Sequence, residues 1–95
     1  MNEDFSIFEF NEMMNKGEEI YTRTTEKAFV DIRKYGNLVL LQLKQYHGKE
    51  KGEQIRFNDV IEIIENKLRQ KLELIKFRRI EGLFETDYYY IFILK

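Results

Sequence analysis

His47, the only histidine, and the lack of any cysteine set the chemical limits of this chain. A histidine dyad, a two-histidine zinc site, a thiolate nucleophile and a disulfide each need residues that the 95 positions do not supply. Histidine is the side chain whose ordinary pKa lies nearest neutrality, so a lone general base is the one catalytic role open to His47 in principle. Nothing in the local sequence orients it, however, and Gly48 follows it, so a solvent-exposed loop histidine is expected. Residues 48–53, GKEKGE, combine glycine and lysine as phosphate loops do. They lack the Gly-Lys-Ser/Thr triplet that places phosphate on a helix start, so a solvated loop is expected. The acid pairs Glu18–Glu19 and Glu62 with Glu65 have no third acid or histidine to converge with, and the Glu62 and Glu65 pair falls on the water side of a helical pattern. No Gly-x-Ser-x-Gly elbow and no dinucleotide fingerprint occur. The expectation is a protein that is not an enzyme, with no catalytic residue, no metal and no cofactor.

Two other groups of residues suit binding. The chain closes on DYYYIFILK, residues 87–95, an apolar and aromatic run in which a strand sends Tyr88, Tyr90, Phe92 and Leu94 to one face and Tyr89, Ile91 and Ile93 to the other. Tyrosine gives large contact area at low rotamer cost, so Tyr88, Tyr89 and Tyr90, with Tyr35, Leu38 and Leu40 of an upstream hairpin, form the expected partner-binding set. The competing expectation is that an N-terminal helix folds over that surface. Between Lys67 and Arg79 six bases face only Glu73, and Lys76, Arg78 and Arg79 precede the tyrosines as nucleic-acid contacts would. Against nucleic acid stand the net charge of −1 and the lack of an RNP-type aromatic motif.

The elements that must position these residues follow from periodicity and glycine. Ser6 and Glu9 form a capping box with Phe5 and Phe10 as its staple. Ile7, Phe10, Met13 and Met14, with Phe8 beside them, recur at helical spacing, which predicts a helix over residues 6–16 ended by Gly17. From Glu19 the chain is rich in β-branched and aromatic residues, and Gly36-Asn37 marks a two-residue hairpin turn. That turn pairs Tyr35 with Leu38, Arg33 with Leu40 and Asp31 with Gln42, and on the opposite face Ile32 with Leu41 and Val30 with Leu43. Residues 19–25 add a strand upstream. Asn58 caps a helix over residues 58–70 whose apolar stripe is Phe57, Val60, Ile61, Ile64 and Leu68, with Glu65 and Arg69 paired on the exposed side. Residues 72–80 and the terminal run return to strand, joined through Gly82. The predicted fold is a single α+β domain over residues 1–95, a mainly antiparallel five-stranded sheet with two helices in the order α-β-β-β-α-β-β.

Composition bounds the rest. Apolar residues at 43% and charged residues at 35% are globular values. Residues 1–26 carry a net −5 and the remainder +4. The acidic opening Met1-Asn2-Glu3-Asp4 does not read as a signal peptide and no apolar run spans a bilayer, so a cytoplasmic protein without membrane contact is expected. A chain rich in lysine, glutamate, isoleucine and asparagine, without proline or tryptophan, fits an AT-rich bacterial or phage genome. The functional expectation is a small protein-binding module, an inhibitor of a host enzyme or defence complex. A nucleic-acid-binding regulator is the alternative, and homodimerisation through an uncovered face or edge is a further expectation.

Overall fold

In the computed structural model, which describes residues 5–95, seven elements follow one another: α1 (Ile7–Lys16), β1 (Glu18–Thr24), β2 (Ala28–Tyr35), β3 (Leu38–Tyr46), α2 (Phe57–Leu68), β4 (Leu72–Glu81) and β5 (Glu85–Leu94). The acidic opening, residues 1–4, lies outside the described residues. The strands form one antiparallel sheet in the order β1-β2-β3-β5-β4. Because β3 and β4 both run against β5, they run parallel to each other, and α2 is the crossover that joins them. The apolar β5 fills the gap the crossover leaves. Buried on both sides, a central strand needs an apolar run in place of strict alternation, which is the reason for residues 88–94.

The β2–β3 hairpin has the register expected from its turn, from Tyr35 opposite Leu38 to Phe29 opposite Lys44. Gly36 takes φ +60, the left-handed value a two-residue turn of this kind requires. The sheet then has two faces with separate cores. On one, Val30, Ile32, Val39, Leu41, Leu43 and Phe92 pack under Val60 and Ile64 of α2. On the other, Leu40, Tyr89 and Ile91 pack under Phe10 and Met14 of α1.

The N-terminal helix therefore does fold over the second face of β5. The Ser6 half of its capping box forms, with the Glu9 backbone N–H donating to Ser6 Oγ at 3.3 Å, and the Phe5 and Phe10 rings lie 6.0 Å apart. Phe10 meets Tyr89 edge to face at 5.1 Å. Two arginines tie the helix down: Arg78 donates to the Phe5 carbonyl at 3.0 Å and Arg33 to the Met14 carbonyl at 3.3 Å. The second bond adds a donor to a last-turn carbonyl that already accepts from the Gly17 N–H at 3.2 Å. Gly17 ends the helix in extended backbone, φ −79. Glycine fits there because a Cβ would crowd the Arg33 Cβ and the Lys34 carbonyl, each 3.1 Å away. Phe8 does not join the apolar stripe and stands 67% exposed.

Three local expectations are corrected. The second helix starts at Phe57 with Arg56 in the cap position and no side-chain cap, because Phe57 is drawn into the core against Tyr90 and Phe92 at ring distances of 4.6 and 6.2 Å; Asn58 is therefore inside the helix. Glu65 does not pair with Arg69: it accepts from the Leu72 backbone N–H at 2.9 Å and lies 3.6 Å from Lys71 Nζ, fixing the entry into β4. Arg69 itself takes φ 55, a left-handed exit from the helix. Finally, β4 carries a bulge at Ile75. A bulge inserts one residue and exchanges the faces beyond it. Leu72 and Leu74 point toward α2, but after Ile75 it is Phe77 and Arg79 that share the α2 face with Tyr90 and Tyr88. Lys76 and Arg78 share the α1 face with Ile91 and Tyr89.

Candidate partner-binding surface

The six residues singled out for partner binding divide between the two faces. Leu40 is 0% exposed and Tyr89 6% exposed, both beneath α1, and Leu38 packs beside them. Tyr88 and Tyr90 line the α2 face, half-buried among aromatic rings. Tyr90 lies between Phe57 and Phe77 at 4.6 and 4.9 Å, and burial pushes its hydroxyl pKa up to about 12. Burial also raises Tyr89. Tyr35, at the hairpin turn, is 38% exposed. The six therefore do not form one continuous free surface while α1 is docked.

The basic residues divide as well. Lys76 and Arg78 lie on the α1 face, and Arg78 is engaged with the Phe5 carbonyl. Arg79 lies on the α2 face, over the Tyr88 ring at 5.9 Å and ion-paired with Glu81. The bulge at Ile75 causes this separation.

The most exposed of the large apolar side chains are instead Leu83 and Phe84, 82% and 77% exposed at the tip of the β4–β5 hairpin. The tip is not loose. The Gly82 N–H donates to the Glu85 carbonyl at 2.8 Å, closing the hairpin. The His47 backbone N–H donates to the Phe84 carbonyl at 2.9 Å, and His47 Nδ1 lies 3.2 Å from the Leu83 carbonyl. A carbonyl only accepts, so Nδ1 is the donor there, and Nε2 is hydrogen-bonded to the Thr86 hydroxyl at 2.7 Å. Both tip carbonyls are thus turned back onto the protein while both side chains project into solvent. His47 is exposed, as expected, but it is a bracket for the tip. The sequence held a signal for this site: EGLFETD places two bulky apolar residues in a connection, where polar residues are the rule.

Next to the tip, on the α1 face but beyond the helix, sit Lys44, Glu85 and Asp87. Lys44 stands opposite Asp87 across the β3–β5 pairing and 3.4 Å from Glu85. Asp87 keeps one carboxyl oxygen buried with no hydrogen-bond partner. Burial, together with the neighbouring Glu85, pushes its pKa up to about 6. Glu85 is held below the usual carboxylate range, first by its hydrogen bond with Asp87 and also by Lys44. Burial works against the Lys44 cation, but Glu85 and Asp87 hold its pKa above the ordinary lysine value.

On the α2 face, beyond the first turn of α2, a groove of about 380 Å³ opens over Leu43, Gln45, Tyr88 and Tyr90, walled by Gln54 and Arg56. Among the described residues no three histidines, cysteines or acids gather as a metal-holding group, and no helix is long and apolar enough to cross a membrane. Compared with known protein families, characterised proteins and solved structures, the chain matches none.

Proposed function

We propose that this protein is a non-catalytic binding module that seats the Leu83–Phe84 tip in an apolar pocket of another protein. The observation that carries the reading is the pairing of exposure with order: two large apolar side chains stand in water on a turn whose backbone is bonded inward to His47. Leaving such side chains solvated costs free energy, and fixing their backbone in advance lowers the entropy lost on docking. A protruding hairpin tip suits insertion into a cleft, and the finer proposal is an inhibitor that blocks a host enzyme or defence complex, encoded by a phage or bacterial genome. The nucleic-acid alternative through Lys76, Arg78 and Arg79 has less support, because these three side chains are spread over opposite faces of the sheet.

The test is a paired capture experiment from host lysate with wild type and with Leu83→Ser combined with Phe84→Ser. Both residues are exposed, so the variant should keep the circular dichroism spectrum and thermal midpoint of the wild type. The expected outcome is a protein retained by wild type and lost from the variant, a loss of about 2 to 4 kcal/mol in affinity. Retention of the same protein by both would sink the tip as the binding element. Light scattering on the two proteins separates self-association, which would also depend on the tip, from a foreign partner.

A further inference from the structure

The groove beside α2 has features the tip does not explain. Its floor is aromatic, made by Tyr88 and Tyr90, and the two rings differ in their surroundings. Tyr90 is clamped between Phe57 and Phe77, whereas the nearest rings to Tyr88 lie 6.4 and 6.5 Å away and the Arg79 guanidinium stands over the Tyr88 ring at 5.9 Å. Gln45 and Gln54 line the groove, and among the described residues neither side chain makes a hydrogen bond within the protein. Arg56 is the one formally charged lining residue, and no carboxylate of the described residues lies within ion-pair distance of it. The α2 helix starts here without a side-chain cap, so its first-turn N–H groups add positive potential to the same end. Asp59, the acid of that first turn, lines a different hollow with Glu62 and Asn66.

We propose that this groove binds a nucleotide, with the base against Tyr88 and Tyr90, its edge read by the amides of Gln45 and Gln54, and the phosphate held by Arg56. Each amide offers both a donor and an acceptor, the complement of a heteroaromatic base edge. Tyrosine faces stack bases without demanding one sequence. A guanidinium free of carboxylate partners is a ready phosphate ligand. The groove volume lies within the ordinary range for small-molecule sites. The free nucleotide and one nucleotide of a single strand share this chemistry. The inference is independent of the partner-binding tip, and either can fail alone.

The experiment is a titration of the isotopically labelled protein with AMP and UMP, followed through the side-chain amide resonances of Gln45 and Gln54. Expected are saturable shifts at ~1 mM nucleotide or below, adenosine weaker than AMP by about ten-fold or more, and a similar loss in Arg56→Ala. Arg56 is exposed, so that variant should keep its thermal midpoint, and Arg69→Ala, at the far end of α2, should bind as wild type. An oligo(A) strand binding more tightly per site than AMP would assign the site to single strands, and equal affinity would assign it to the free nucleotide. No shift of either amide at ~10 mM nucleotide would overturn the proposal. So would AMP affinity unchanged in Arg56→Ala, or phosphotyrosine binding tighter than AMP by about ten-fold.

Discussion

Asp87 offers the sharpest quantitative test of the structure. It lies on β5 between Lys44 of β3 and Ile80 of β4, with Glu85 two residues along on the same face, and one of its carboxyl oxygens is buried without a donor. Burial first, and Glu85 second, raise its pKa from 3.8 to about 6. A group whose folded pKa is raised contributes stability that is fully present below the unfolded value and lost as pH rises through the folded one. Ionised Asp87 therefore destabilises the protein above pH 6. At about 1.4 kcal/mol per pH unit the gap corresponds to roughly 3 kcal/mol, and screening of a carboxyl that keeps part of its surface in water reduces this to about 1 to 1.5 kcal/mol. Asp87→Asn keeps the shape, removes the charge and retains a donor for Glu85. It should raise the urea midpoint at pH 7.5 without changing the m-value, and the gain should shrink through pH 6 and vanish below 3.8. Glu85 runs the opposite way, contributing stability above 4.5 that is lost as pH falls through its lowered value, but it does so in both proteins. A variant less stable than wild type at pH 7.5, or a gain that does not change with pH, would refute a net burial cost for the Asp87 charge.

Other substitutions probe the supports of the two faces. Phe10→Ala removes a fully buried ring from against Tyr89 and should cost about 3 to 5 kcal/mol in chemical denaturation. Gly36→Ala leaves the added methyl in open space, so its cost, about 1 kcal/mol in thermal unfolding, is that of the φ of +60 alone. His47→Ala removes the ring bonds to Leu83 and Thr86 but not the backbone bond to Phe84. Global stability should fall by about 1 kcal/mol, while the Gly82 amide exchanges faster with solvent.

Local rules made much of the fold legible. Gly36-Asn37 pinned a hairpin register that holds residue for residue from Tyr35–Leu38 to Phe29–Lys44, and the Ser6 cap with its Phe5–Phe10 staple placed the first helix. The two faces of residues 88–94 followed from alternation alone. What escaped depends on contacts between distant elements. Phe57 joins its helix because Tyr90 and Phe92 receive it, which overrides the capping preference of Asn58. The bulge at Ile75 has no glycine to announce it in LELIKFRRI, yet it decides that Arg79 and Arg78 face opposite ways. Of the candidate binding residues, the sequence showed which were sticky but not which were already occupied: the same apolar character that suits Leu40 and Tyr89 to a partner suits them to Phe10 and Met14. Leu83 and Phe84 were passed over because they fall in the connection through Gly82, outside the alternation of either strand.

The place of β5 has a consequence for how the chain reaches its fold. It is made last of the seven elements, yet it supplies the pairing for both β3 and β4. As the chain emerges, β1, β2 and β3 can zip up in order, but β4 has no neighbour to join and α2 has only part of its floor. The half-built sheet presents two inner edges, each matched to the same missing strand and so open to a strand from another molecule. Assembly is therefore gated by one late, long-range insertion, and the apolar run that secures the finished sheet is also the segment most in need of a quick route to its slot.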